Sequence, residues 1–191
     1  MLRPAFRITA VTVAGIVLIL YLDGQSEPVA LTPHGSQAPA FASATGAAGW
    51  FQGVRPRCNA VEVETALRST PAPSGWEGRG FEAACLALAG RTEAARTRIA
   101  GLSGDERWRA AGIVFDVGHP VADAGDDVSA APIMELVVEF WPNHYMALYH
   151  AGAARTALGE AEAARPLLEA FLREYPGQDG WTRSAERMLE R

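Results

Sequence analysis

The chain has 191 residues, 49% hydrophobic and 20% charged, which fits one ordinary folded domain plus a tail that is not globular. Its formal charge is −5, and beyond Leu22 it carries 15 arginines against 22 acidic residues. That acidic balance argues against a nucleic-acid or anionic-lipid surface partner for the globular part. All 17 basic residues are arginine, a bias to which no function is attached.

In chain order, the first feature is an uncharged run from Ile8 to Leu22 behind Arg3 and Arg7. Fifteen helical residues span roughly 22 Å, short of the roughly 30 Å hydrocarbon core unless Ala5 and Phe6 join and Arg7 snorkels outward. A cleaved signal peptide is the rival reading, since its apolar region has a similar length. An uncleaved anchor over residues 1–22 is favoured. The nearest cleavage pattern, Gly24-Gln25-Ser26, is poor, and the better triplets, Ala38-Pro39-Ala40 and Ala42-Ser43-Ala44, lie too far downstream. Arg3 and Arg7 then keep the amino terminus in the cytoplasm, and the expected location is a single pass in a bacterial inner membrane with a periplasmic carboxy-terminal domain.

Residues 23–49 differ in kind: 19 of the 27 are Ala, Gly, Pro, Ser or Thr. Too few large apolar groups are present to offset the entropy of ordering, so the segment reads as an extended linker. The segment 55–70, with Ala60, Val63, Ala66 and Leu67, reads as a lone helix or half-repeat closed by Pro71 and Pro73.

Beyond it the chain resembles itself at a shift of 34 residues. Gly118, Gly125, Ala130, Ile133, Met134, Val137 and Pro142 fall opposite Gly152, Gly159, Ala164, Leu167, Leu168, Phe171 and Pro176. A weaker copy at a shift of 35 sets Gly90, Ala95, Ile99 and Leu102 against Gly125, Ala130, Met134 and Val137. The spacing predicts helical hairpins over 76–110, 111–144 and 145–178. The first glycine of each later pair allows close helix approach, and the second permits the turn. Pro132 and Pro166 demand a late start or a kink in the second helices, and Pro120 should break or kink the first helix of the middle unit. Residues 179–191 suit a capping helix, with Trp181, Ala185, Met188 and Leu189 on its apolar face.

Cys58 and Cys85 flank the Pro71–Gly75 connection at nearly equal distances. Antiparallel helices would bring them together, and both a disulfide and two buried free thiols are open. No phosphate loop, paired-cysteine zinc spacing, His-Glu-x-x-His or nucleophile elbow is present, so no catalytic residue, metal site or cofactor is expected. The sharpest exception is the run Asp116, His119, Asp123, Asp126 and Asp127, which offers cation ligands. In the plainer reading Asp126 or Asp127 caps the following helix while His119 and Asp123 face solvent or a partner. His144 and His150, six apart, do not share a helical face and read as structural or surface groups.

Counted from Tyr145, the unit resembles the tetratricopeptide repeat: glycine stands eighth and fifteenth, alanine twentieth and proline thirty-second. Residues 145–178 match best, within a likeness covering about 76–178. The family's eleventh-position aromatic is replaced by Val121 in the second unit and Arg155 in the third. The resemblance implies an all-α hairpin solenoid that binds proteins along a concave face. By position that face holds Phe115, His119 and Asp123, then Met146, Tyr149 and Ala153. The lysine and asparagine clamp that some family members use for acidic chain ends is absent. A non-catalytic, membrane-anchored scaffold is therefore expected, a structural subunit of a multi-subunit membrane complex of photosynthetic (reaction-centre or light-harvesting) or respiratory type. A periplasmic assembly factor or chaperone is the alternative.

Overall fold

The computed structural model describes residues 46–190; the anchor expected over 1–22 and most of the linker lie outside them. Among the described residues there are nine α-helices, one 3-10 turn and no strand. None of these helices is long and apolar enough to cross a membrane.

Helix α1 (Ala47–Val54) begins directly after Gly46, whose φ of 105° only glycine adopts readily. The last residues assigned to the linker therefore belong to the fold. The reason is periodicity: Ala47, Phe51 and Val54 fall on one buried face, and Phe51 stacks on Phe81 at 5.1 Å. The lone helix expected over 55–70 is likewise divided. Arg55–Arg57 form the 3-10 turn, with Pro56 in it, and α2 starts only at Val63 (Val63–Ser69). Asn59 causes the break, because its Oδ1 accepts the backbone N–H groups of Val61 and Glu62, each at 3.1 Å. Trp50 Nε1 donates to the Thr70 carbonyl at 3.0 Å, pinning α1 to the end of α2.

Three helical pairs follow: α3 (Trp76–Leu88) with α4 (Thr92–Ala100), α5 (Glu106–Asp123) with α6 (Asp127–Phe140), and α7 (Tyr145–Ala157) with α8 (Ala161–Glu174). Each pair is closed alike. Gly90, Gly125 and Gly159 have φ of 71°, 74° and 77°. At each, the glycine N–H bonds the carbonyl three residues back, and the next N–H bonds the carbonyl five back: Arg91 to Leu86, Asp126 to Val121 and Glu160 to Arg155. Close approach within the later pairs also follows the sequence. A Cβ on Gly118 would lie 2.5 Å from Ile133 Cγ2, and one on Gly152 would lie 2.7 Å from Leu168 Cγ.

The prolines are milder than expected. Pro120 stands inside α5 without interrupting it, three residues before the helix ends, and Pro132 and Pro166 occupy the sixth residues of α6 and α8. Each proline forgoes one hydrogen bond to the carbonyl four residues back, and the helix continues past it.

The junctions between pairs are not equivalent. Helix α3 packs against α1, α4 and α5, whereas α6 packs against both α5 and α7. Helix α9 (Gly180–Leu189) rests on α8 and α7 through Ala185, Met188 and Leu189. Trp181, expected on its inner face, is 40% exposed and stands edge-on to Tyr149. Cys58 and Cys85 are joined in a disulfide, with Cα atoms 4.9 Å apart, although Cys58 follows the 3-10 turn instead of lying in a helix.

Arg155 of α7 ties its helix to the neighbouring elements. Its guanidinium forms a fork on Glu135 of α6, with both N–O distances 2.6 Å, and reaches Glu160 in the α7–α8 turn at 2.5 Å. Arg98 similarly ties α4 to Glu82 of α3 at 2.8 Å, and Arg96 ties α4 to Glu139 of α6 at 2.6 Å.

Candidate histidine cluster on helices α5 and α7

Residues four apart in a helix lie one above another, so Phe115, His119 and Asp123 form a single row down the second half of α5. The Phe115 ring stacks on His119 with centroids 4.8 Å apart, which fixes the imidazole plane. Asp123 Oδ1 lies 3.4 Å from His119 Nε2. The row expected from the sequence is thus one side-chain assembly.

Helix α7 completes it with residues that sequence spacing sets apart. His150 is 7% exposed and points its Nε2 at His119 Nε2, 2.9 Å away, with Asp123 Oδ1 at 4.0 Å. His144 precedes the first turn of α7 as its N-cap: Nδ1 accepts the Ala147 N–H at 3.2 Å. Its ring meets Phe115 at 4.1 Å and Trp141 at 4.6 Å. All three histidines among the described residues are therefore linked through Phe115 and the His119–His150 contact.

Two imidazole nitrogens at 2.9 Å require that one carry a proton and the other a lone pair. Burial pushes His150 down to about 4; the neighbouring His119 adds to this and Asp123 opposes it. His144 is also held below the usual histidine value, first by burial and then by His119. Burial thus favours the neutral form of His144 and His150, the form that accepts a hydrogen bond or binds a metal.

The other expected site residues are distributed unevenly. Met146 is half-buried. Tyr149 is 9% exposed, packed edge-on to Phe171, and its hydroxyl lies 3.1 Å from Ser184 Oγ of α9. Ala153 packs into the same hydrophobic cluster as Tyr149. Tyr149 and Ala153 hold α7 to its neighbours; Tyr149 is buried and Ala153 partly so. Asp126, one of the candidate cation ligands, caps α6 by accepting the Ser129 N–H at 3.2 Å, and it is separate from the cluster. The Cys85 thiol is consumed in the disulfide.

Sequence reasoning does not find His150, His144, Trp141 or Trp181 as site residues. His119 and Asp123 advertise themselves at helical spacing, but His150 lies 31 positions from His119 and repeats nothing in the earlier unit. The packing of α6 against α5 and α7, together with a direct contact between α5 and α7, brings it near. The chain matches no family model, no curated protein and no solved structure.

Proposed function

We propose that the chain is a non-catalytic protein-binding scaffold of tetratricopeptide-like hairpins, held at a membrane by its amino-terminal segment and seated on a multi-subunit complex in an oxidising compartment. The observation that carries this reading is exposed aromatic surface on the hairpins. Trp108 of α5 is 39% exposed and lies edge-on to Trp141 at 5.2 Å. With Phe140 and Pro142 the two rings line a shallow recess of about 410 Å³. Aromatic side chains rimmed by polar groups are the usual anchors of protein interfaces. Tyr145 and Trp181, 42% and 40% exposed, extend the apolar surface along the later helices. The disulfide supports an oxidising location.

The experiment is purification of the full chain from native membranes in mild detergent, with quantitative mass spectrometry. A fixed stoichiometric set of partners, depleted by Trp108→Ala, supports the structural-subunit reading. A shifting set of clients favours the chaperone alternative. A lone monomer that Trp108→Ala leaves unaltered overturns both.

A further inference from the structure

We propose that His119 Nε2, His150 Nε2 and a carboxylate oxygen of Asp123 form a site for one divalent transition-metal ion, Zn2+ in the resting protein, which ties α5 to α7. The three donor atoms lie within 4.8 Å of one another. Imidazole nitrogen bonds zinc at about 2.0–2.1 Å and carboxylate oxygen at about 2.0–2.2 Å, so tetrahedral neighbours stand roughly 3.3–3.4 Å apart. His119 Nε2 and Asp123 Oδ1 already have that separation, at 3.4 Å. The two nitrogens, at 2.9 Å, need to open by about half an ångström, and Asp123 Oδ1 must close on His150 from 4.0 Å by a similar amount. Asp123, with its side chain 58% exposed, can swing towards His150, and His119, 33% exposed, can slide by that amount within the plane its stacking on Phe115 sets, while buried His150 stays in place.

The surroundings suit an ion better than a bare histidine pair. Among the described residues each Nε2 hydrogen-bonds only to the other, with Asp123 as the remaining polar neighbour. An ion bound there takes the place of the single shared proton: the imidazole that carries its proton on Nε2 shifts to the Nδ1–H tautomer by exchange with solvent, with no net change of charge, and both Nε2 atoms then present lone pairs. Phe115 stacked on His119, with Trp181 edge-on to His150 at 6.2 Å, holds the rings and covers one side. Two imidazoles and one carboxylate favour zinc, copper or nickel over calcium or magnesium. Three protein ligands leave a fourth position facing solvent through exposed Asp123, available to water or to a donor from a partner. The ion would also serve the architecture, since α5 and α7 each pack extensively on α6 but touch each other only sparsely, and it would tie the two directly.

The test uses the untagged full chain, stripped with EDTA and titrated with Zn2+ by calorimetry, and with Cu2+ by electron paramagnetic resonance. The expected result is one equivalent of Zn2+ bound at about 10 μM or tighter, a raised Tm, and nitrogen hyperfine structure from two imidazoles on Cu2+. His150→Gln should abolish binding. Asp123→Asn, at an exposed position that leaves the fold intact, should weaken it at least about tenfold. Replacing either remaining histidine, His34→Gln or His144→Asn, should leave the affinity unchanged. Absence of binding tighter than about 100 μM, or binding that Asp123→Asn and His119→Gln leave intact, overturns the proposal and leaves the two rings as a hydrogen-bonded structural pair.

Discussion

His144 shows how a single titratable atom can govern a helix end. Its Nδ1 accepts the Ala147 N–H only while it is unprotonated. Burial holds its folded-state affinity for protons below that of the unfolded chain. A base with a depressed folded value contributes full stability above the unfolded pKa of about 6.5 and loses it as pH falls through that value towards the folded one. Asparagine is an equally good N-cap that does not titrate. His144→Asn should therefore match the parent chain at pH 8 and be the more stable of the two at pH 5. The difference should approach the worth of a cap, about 1 kcal/mol, in urea melts run with EDTA. Identical pH profiles would mean that the cap is not the titrating contact. Arg155 is the second case. Its fork on Glu135 is only partly screened, so Arg155→Met should cost about 1 kcal/mol, and less at 1 M salt than at 0.1 M.

Glycines that look alike in the sequence perform two different tasks at the scale of helices and turns. Gly159 has φ of 77° with open space where a Cβ would project, so Gly159→Ala should cost about 1 kcal/mol through backbone strain alone. Gly152 is helical, but its Cβ would sit 2.7 Å from Leu168 Cγ and 3.3 Å from the Leu168 backbone nitrogen. Gly152→Ala should therefore cost about 1–3 kcal/mol by overpacking, and Leu168→Ala should relieve part of it in a double-mutant cycle. If the two costs simply add in thermal melts, the seam between α7 and α8 is looser than these distances require. Both roles were legible because a recurring glycine followed by helical apolar spacing has few other physical explanations. The division of 55–70 was not legible, since Asn59 breaks the helix through hydrogen bonds that periodicity does not register. Pro120 misled in the opposite direction: α5 runs three residues past it despite the hydrogen bond it forgoes. The candidate site was half legible. A row four residues apart can be read from one helix, but the arrival of His150 depends on how α5, α6 and α7 pack, and a 34-residue repeat does not encode its own junctions.

Those junctions also decide how stability is distributed over the folded domain. The first two pairs meet through α3 and α5, the last two through α6 and α7. The amino-terminal elements α1 and α2 are short, and they are secured by Phe51 on Phe81, the Trp50 hydrogen bond and the disulfide, which closes 27 residues. Constraining a loop of that size restricts the unfolded chain by about 3–4 kcal/mol in the chain-entropy account. The carboxy-terminal pair and α9 have their own cluster around Leu148, Leu168, Phe171 and Ala185, remote in sequence from the bond. Breaking the disulfide by Cys58→Ser together with Cys85→Ser should therefore act unevenly. Amide hydrogen exchange over residues 47–69 should accelerate towards local-unfolding rates, while α7 to α9 retain most of their protection. A global stability lowered by the full amount of about 3–4 kcal/mol, with uniform loss of protection, would instead mean that the domain unfolds as one cooperative unit, with the bond acting on all of it through the unfolded state.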